Sequence, residues 1–243
     1  MNHVVNNRQK GFTLVELMLA MTFISVLLLA IALTVIQIGS LYNRGTTLKE
    51  TNQAARDITS DFQRSVSSSE AFSMTTDYFH TDIGPASGTG RVCLGSYSYI
   101  WNLAGTPAGS TVKYLRPSKA GTRINLLKVP DTTKLYCALN AAGNLAQKDI
   151  LDADTDISKE MLNAGDHSLV IYKFALVAGG ADTADSLTKQ QIYQLNFSIS
   201  TNKLSAIDLT TGTCLPPGNI NSDFNYCSVQ DFSLVVRAGD RIN

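Results

Sequence analysis

One carboxylate in this chain stands where a carboxylate is costly. Glu16 follows Phe12-Thr13-Leu14-Val15 and heads a span, Leu17 to Asn43, that carries no charge. Leu, Ile, Val, Met, Phe and Ala dominate that span as far as Ile38. An acid inside a bilayer costs on the order of 2.5–3.5 kcal/mol by insertion scales, less near the edge, and marks a functional group whose partner should be named. A second group is Asp152-Ala153-Asp154-Thr155-Asp156, three acids at alternate positions with Glu160 just beyond. Calcium loops use such spacing, but an EF-hand needs Gly at its sixth position and Glu at its twelfth. Ile157 and Asn163 stand there, which excludes the EF-hand. A looser calcium site from Asp152, Asp154, Asp156 and Glu160 is the residual metal expectation; a solvated acidic loop is the favoured reading.

The third group is the cysteines. Cys93, Cys137, Cys214 and Cys227 all follow the apolar span, with no CxxC pair and no histidine at zinc-ligand spacing. An even count in an exported region reads as two disulfides with three possible connectivities. The local pairing, Cys93–Cys137 and Cys214–Cys227, is favoured; free buried thiols are the alternative. His3, His80 and His167 have no evident catalytic partner, and no GxSxG, HExxH, P-loop or dinucleotide fingerprint occurs. No enzyme and no cofactor are expected.

Twenty basic and twenty acidic residues cancel, so no net field favours nucleic acid or an anionic surface. Lys113, Arg123 and Lys128 are too few for a phosphate-tracking face, and no nucleic-acid partner is expected.

The element that positions Glu16 must be a membrane helix. A helix needs about 20 apolar residues to cross the hydrocarbon core, and this span exceeds that. It is also longer than the roughly 7–15 residue core of a secretory signal, and the nearest cleavage candidate, Gln37-Ile38-Gly39-Ser40, is weak. Ahead of it, Arg8 and Lys10 are the only charges in Met1 to Lys10. Basic residues on a short N-terminal flank hold that end in the cytoplasm, which leaves the C-terminal domain outside.

Lys10-Gly11-Phe12-Thr13-Leu14-Val15-Glu16-Leu17 resembles the prepilin motif of type IV pilins and type II secretion pseudopilins. The resemblance implies a leader over 1–11, cut after Gly11 by a prepilin peptidase, and N-methylation of the new first residue, Phe12. It implies that Glu16 neutralises the Phe12 ammonium of an adjacent subunit during assembly. The partners it implies are other pilin or pseudopilin subunits, the peptidase, an inner-membrane assembly platform and the membrane itself. Many major pilins carry a proline in the second half of the span; here none precedes Pro85.

Past the membrane, Leu41, Leu48, Ala55, Ile58, Phe62 and Val66 recur at helical spacing with charges between them. One helix from about Thr13 to Val66 follows. After Glu70 the pattern becomes strand-like. The candidate strands are Arg91–Trp101, Thr111–Arg116, Arg123–Val129, Leu135–Leu139, Ser168–Val177, Gln190–Ser200 and Phe232–Val236, with Thr81 to Gly90 read as a loop. The expected fold class is α+β, a long helix packed on an antiparallel sheet. Its parts are the leader 1–11, a polymerisation helix 12–38, an amphipathic continuation 39–69 and a β-rich domain 70–243. The function implied is a filament subunit, a minor pilin by its length, with a minor pseudopilin as runner-up. A membrane-tethered binding domain or a secreted domain is the reading from another class.

Overall fold

The computed structural model describes residues 11–162, 168–180, 184–208, 210–223 and 225–239. By internal packing the chain divides into two compact units between Asn43 and Arg44.

Helix α1, Leu14–Ser67, is 54 residues long. No proline interrupts it, and straight-chain and small residues give it high helix propensity. Every side chain from Leu14 to Ile38 is exposed. That stretch alone covers about 37 Å at about 1.5 Å per residue, more than the roughly 30 Å hydrocarbon core. Its hydroxyls are satisfied within the helix. Thr22 donates to the Leu19 carbonyl at 2.9 Å, Ser25 to Met21 at 2.8 Å and Thr34 to Ile31 at 2.7 Å. A polar side chain that bonds its own backbone is tolerated in lipid.

In the second unit, α1 buries one stripe: Thr47, Thr51, Ala54, Ala55, Ile58, Phe62, Ser65 and Val66. Leu41, expected on that stripe, is exposed. The remainder is antiparallel sheet. Strands β1 Tyr78–Gly84, β2 Ser87–Cys93, β3 Tyr97–Asn102, β4 Leu126–Pro130 and β5 Lys159–Glu160 form one sheet in that order. Strands β6 Leu169–Ala178, β7 Gln191–Thr201 and β10 Val229–Ala238 form a second, ordered β10-β7-β6. A small ribbon pairs β8 Ile207–Asp208 with β9 Thr213–Cys214.

The α+β layout stands as expected, but two principal sheets replace the single one. Four local readings also change. The Thr81 to Gly90 loop is a hairpin whose corner carries Ala86 at φ 52°. The Arg91–Trp101 strand is two strands, because Gly95 at φ 82° turns the chain between them. Thr111–Arg116 contributes only a single bridge, Tyr114 to Ile150. Leu135–Leu139 begins as a 3-10 turn, Leu135–Cys137. In the last two segments apolar residues are buried without joining a sheet.

The first sheet is covered on both faces. One face presents Tyr99 and Trp101 to α1 and to Phe174 and Phe197 of the second sheet. The other packs Ile100, Leu127 and Val129 on Val112, Ile124, Tyr136 and Ile150. Arg91 is buried in the domain and donates to the carbonyls of Tyr136, Gln147 and Lys148. These bonds hold the coil that covers the outer face, and removing a buried guanidinium from them would leave it heavily penalised. A polar clamp ties α1 to the sheet. Lys128 Nζ meets Asp61 Oδ2 and Ser65 Oγ at 2.9 Å each, and Tyr99 donates to Asp61 at 2.6 Å.

Both disulfides pair locally. Cys93–Cys137 joins the end of β2 to the 3-10 turn, with Cα atoms 6.1 Å apart. Cys214–Cys227 closes the Pro216-Pro217 loop, with Cα atoms 5.9 Å apart.

Candidate functional site

The N-terminal turn of α1 gathers the residues that the motif singles out. Gly11 has open space where a side chain would stand, and Phe12 is 88% exposed. Thr13 and Glu16 then form a reciprocal cap. The Glu16 amide donates to Thr13 Oγ1 at 3.3 Å, and the Thr13 amide donates to Glu16 Oε2 at 2.9 Å. The Thr13 hydroxyl also donates to Glu16 Oε2, at 3.0 Å. This is a capping box, which satisfies helix-end donors that no carbonyl can reach. The anionic side chain also sits at the positive end of the helix dipole. The Thr-x-x-Glu spacing is the sequence signal for the box. It sits inside the motif and is hidden by it, because the membrane cost of Glu16 claims attention first.

Directly after Glu16 comes the exposed apolar stretch Leu17 to Ile38. The exposed carboxylate of Glu16 thus lies in the first turn of such a helix, close to a Gly11–Phe12 bond with open space around it.

A family model described as the prokaryotic N-terminal methylation motif matches residues 6–35. The chain carries the type IV pilin signature. That motif belongs to type IV pilin-like and pseudopilin subunits, whose role is structural and whose assembly is with one another. The chain matches no curated protein and no solved structure. Residues 1–10 of the expected leader, with His3, Arg8 and Lys10, lie outside the described residues.

The other candidate residues are occupied by structural partners. Arg116 forms ion pairs with Asp152 and Asp156. Tyr136 donates to Asp154. Glu160 turns away and accepts the amide of Leu126 at 2.8 Å. Asn163, which bears on the EF-hand spacing, lies outside the described residues. Among the described residues no three His, Cys, Asp or Glu side chains come together to hold a metal. Burial pushes the Glu160 carboxyl up to about 7, against the amides of Leu126, Asn125 and Leu162 that favour its charge. His80 sits on the exposed part of β1, and His167 lies outside the described residues. The basic residues do not form a face either. Lys128 is taken by Asp61, and Arg123 donates to the carbonyls of Leu103 and Ala104.

Proposed function

We propose that this chain is a minor pilin. It is a filament subunit cut between Gly11 and Phe12, N-methylated at Phe12 and polymerised through Phe12–Ile38. In this reading it crosses the cytoplasmic membrane once, N-terminus inside, and its domain faces outward before and after incorporation. It is a substrate of the prepilin peptidase and a client of the inner-membrane assembly platform, and it performs no catalysis of its own.

The observation that carries this is Glu16 at the head of a fully exposed apolar helix. In the lone subunit its charge is spent on the Thr13 cap. In lipid a carboxylate with only neutral donors is poorly compensated, whereas an ammonium neutralises it outright. Cleavage after Gly11 creates such an ammonium at Phe12. The Phe12 amine of a neighbouring subunit is then a stronger partner than the Thr13 amide, and the exchange sets the axial register of one helix against the next. Two disulfides suit a domain exposed outside the cytoplasm.

A minor pseudopilin of a type II secretion system shares every one of these N-terminal features. The two disulfides favour the pilus. The test is peptide mass spectrometry on protein from native membranes or sheared filaments. A mature chain beginning at N-methyl-Phe12, scarce relative to another pilin in the shear fraction, supports the reading. A chain beginning at Met1 or near Ser40 overturns it.

A further inference from the structure

A sheet edge offers unpaired N–H and C=O groups to another strand, and proteins blunt such edges with bulges, lysine, proline or shortness. Among the described residues, three of the four edges of the two principal sheets are blunted. Strand β1 breaks register between Asp82 and Gly84, and β6 breaks it between Ile171 and Lys173. Strand β5 has only two residues. Strand β10 is different. It pairs with β7 along its whole length with no shift of register, and Val229–Ala238 contains neither proline nor lysine.

Which main-chain groups that edge presents follows from its two ends. In an antiparallel ladder, residues that bond the neighbouring strand alternate with residues whose N–H and C=O point away. The Thr201 amide donates to the Ser228 carbonyl at 3.1 Å, which turns Ser228 and every second residue after it toward β7. The residues between them face out. At the far end Gly239 does so, and its amide donates to the Ser69 carbonyl at 2.9 Å. Asp231, Ser233, Val235 and Arg237 therefore present their backbone groups along the edge. The inner side of the edge is also open. Leu195 and Phe197 of β7 are fully buried, whereas Phe232 and Leu234 beside them are only partly covered. An open volume of about 620 Å³ adjoins Phe232 and the α1 residues Lys49, Asn52, Arg56 and Gln63, so α1 stops short of the edge.

We propose that β10 is a self-complementary edge that pairs antiparallel with β10 of a second copy of this chain, about a two-fold axis at Leu234. Outward-facing residues must oppose outward-facing residues, so the axis falls on a residue and not between two. At Leu234 it sets Asp231 opposite Arg237 of the second copy, twice over, and Ser233 opposite Val235. At Ser233 or Val235 it would set Asp231 opposite Val235 or Gly239 and match neither charge. Opposite charges facing across two strands stabilise their pairing. Leu234 then meets its own counterpart and Phe232 meets Val236, which covers the two half-exposed apolar side chains. A two-fold axis through a continuous sheet stands perpendicular to it and reverses every direction in its plane. Residues 44–67 of α1 lie on that sheet, so they run in opposite senses in the two copies. Neighbours in one membrane or one filament share one sense. The contact thus joins copies that approach from opposite sides, and under the filament reading it ties two antiparallel filaments. The pairing itself does not rest on that reading.

The test uses the full chain in detergent micelles. All four native cysteines are in disulfides, so an introduced thiol is the only free one. Leu234→Cys places two thiols across the axis at directly opposed positions, about 4.5–5.5 Å apart and within reach of a disulfide. Mild oxidation is expected to yield a covalent dimer. Val235→Cys, whose two copies are offset by two residues, is expected to yield several-fold less. Ser233→Cys mixed with Val235→Cys reads the same register at two exposed positions and is expected to cross-link more than either alone. Asp231→Arg and Arg237→Asp, each added to Leu234→Cys, are expected to cut the dimer about tenfold by repulsion. Mixing those two chains should restore it, because every facing pair is then opposite in charge. Unfolding followed by Trp101 fluorescence checks that each variant is folded. Absence of a dimer from the folded variants overturns the proposal. Equal yields from Leu234→Cys and Val235→Cys overturn it too, as does a failure to recover on mixing. None of these variants touches Gly11 to Glu16, so such a failure leaves the subunit reading standing.

Discussion

The indole of Trp101 covers the α-carbon of Gly90, its register partner across β2 and β3. A methyl group at Gly90 would stand 2.1 Å from Trp101 Cζ2 and 2.3 Å from Cε2. The indole cannot retreat, since Phe174 lies against it with ring centroids 4.2 Å apart and Trp101 is fully buried. Gly90→Ala is expected to destabilise the domain by about 1–3 kcal/mol through overpacking. Trp101 is the single tryptophan, so guanidinium unfolding of the detergent-solubilised chain followed by its fluorescence reads the change directly.

The clamp between α1 and the sheet makes stability fall in acid. Burial pushes the Asp61 carboxyl up, but the hydrogen bonds from Tyr99 and Lys128 outweigh it and hold the group below the ordinary aspartate range. A carboxyl depressed in the folded state stabilises above its unfolded pKa, and that contribution is lost as pH falls through the folded one. Asp61→Asn is expected to lower stability by about 1–3 kcal/mol at neutral pH, the scale of hydrogen bonds to a charged group. It should also flatten the acid limb of the stability profile. An unchanged acid limb would remove Asp61 from the explanation.

Glu160 acts with the opposite sign. Its carboxyl lies raised, from an ordinary value of 4.5 to about 7. The folded state therefore holds a proton that the unfolded chain releases. Its stability contribution is complete below about pH 4.5 and lost as pH rises toward about 7, a cost of about 3 kcal/mol in total at 1.36 kcal/mol per unit. Glu160→Gln is expected to abolish the decline across that window. Denaturation midpoints at pH 4.5, 6 and 8 (roughly bracketing the titration) give the slope.

The two disulfides differ in what their loss costs. Cys93 and Cys137 lie 44 residues apart in sequence and Cys214 and Cys227 lie 13 apart. Loop-closure entropy assigns about 4 kcal/mol to the longer loop and about 3 kcal/mol to the shorter. The paired serine replacements should lower the thermal midpoint in that order, measured by circular dichroism of the membrane-extracted protein.

At the N-terminus, cap and charge can be separated. Glutamine serves in a capping box as glutamate does, so Glu16→Gln is expected to keep the first turn of α1 protected in amide exchange while its incorporation into filaments collapses. Glu16→Leu should lose both. Thr13→Ala should loosen the first turn by about 0.5–2 kcal/mol and leave incorporation largely intact. Normal incorporation of Glu16→Gln would show that the charge is not what assembly reads.

Much of this protein is written in one dimension. The span Leu17 to Ile38, the Thr-x-x-Glu cap inside the motif and the spacing of Ala55, Ile58, Phe62 and Val66 depend on residues within a few turns of one helix, so their order along the chain suffices. The alternation in Ile192 to Ile199 is equally local and emerges as β7. Tertiary structure decided the rest, because it depends on residues that meet only after folding. Thr81 to Gly90 reads as a loop because its glycines and threonines have no pattern of their own. It becomes a hairpin because Trp101 needs a strand without a side chain opposite it. Asp61 and Lys128 are 67 positions apart and look like two unrelated surface charges until β4 lies against α1. The division into two sheets has the same origin: strand type is a local preference, whereas the partner and the register of each strand are set by long-range burial.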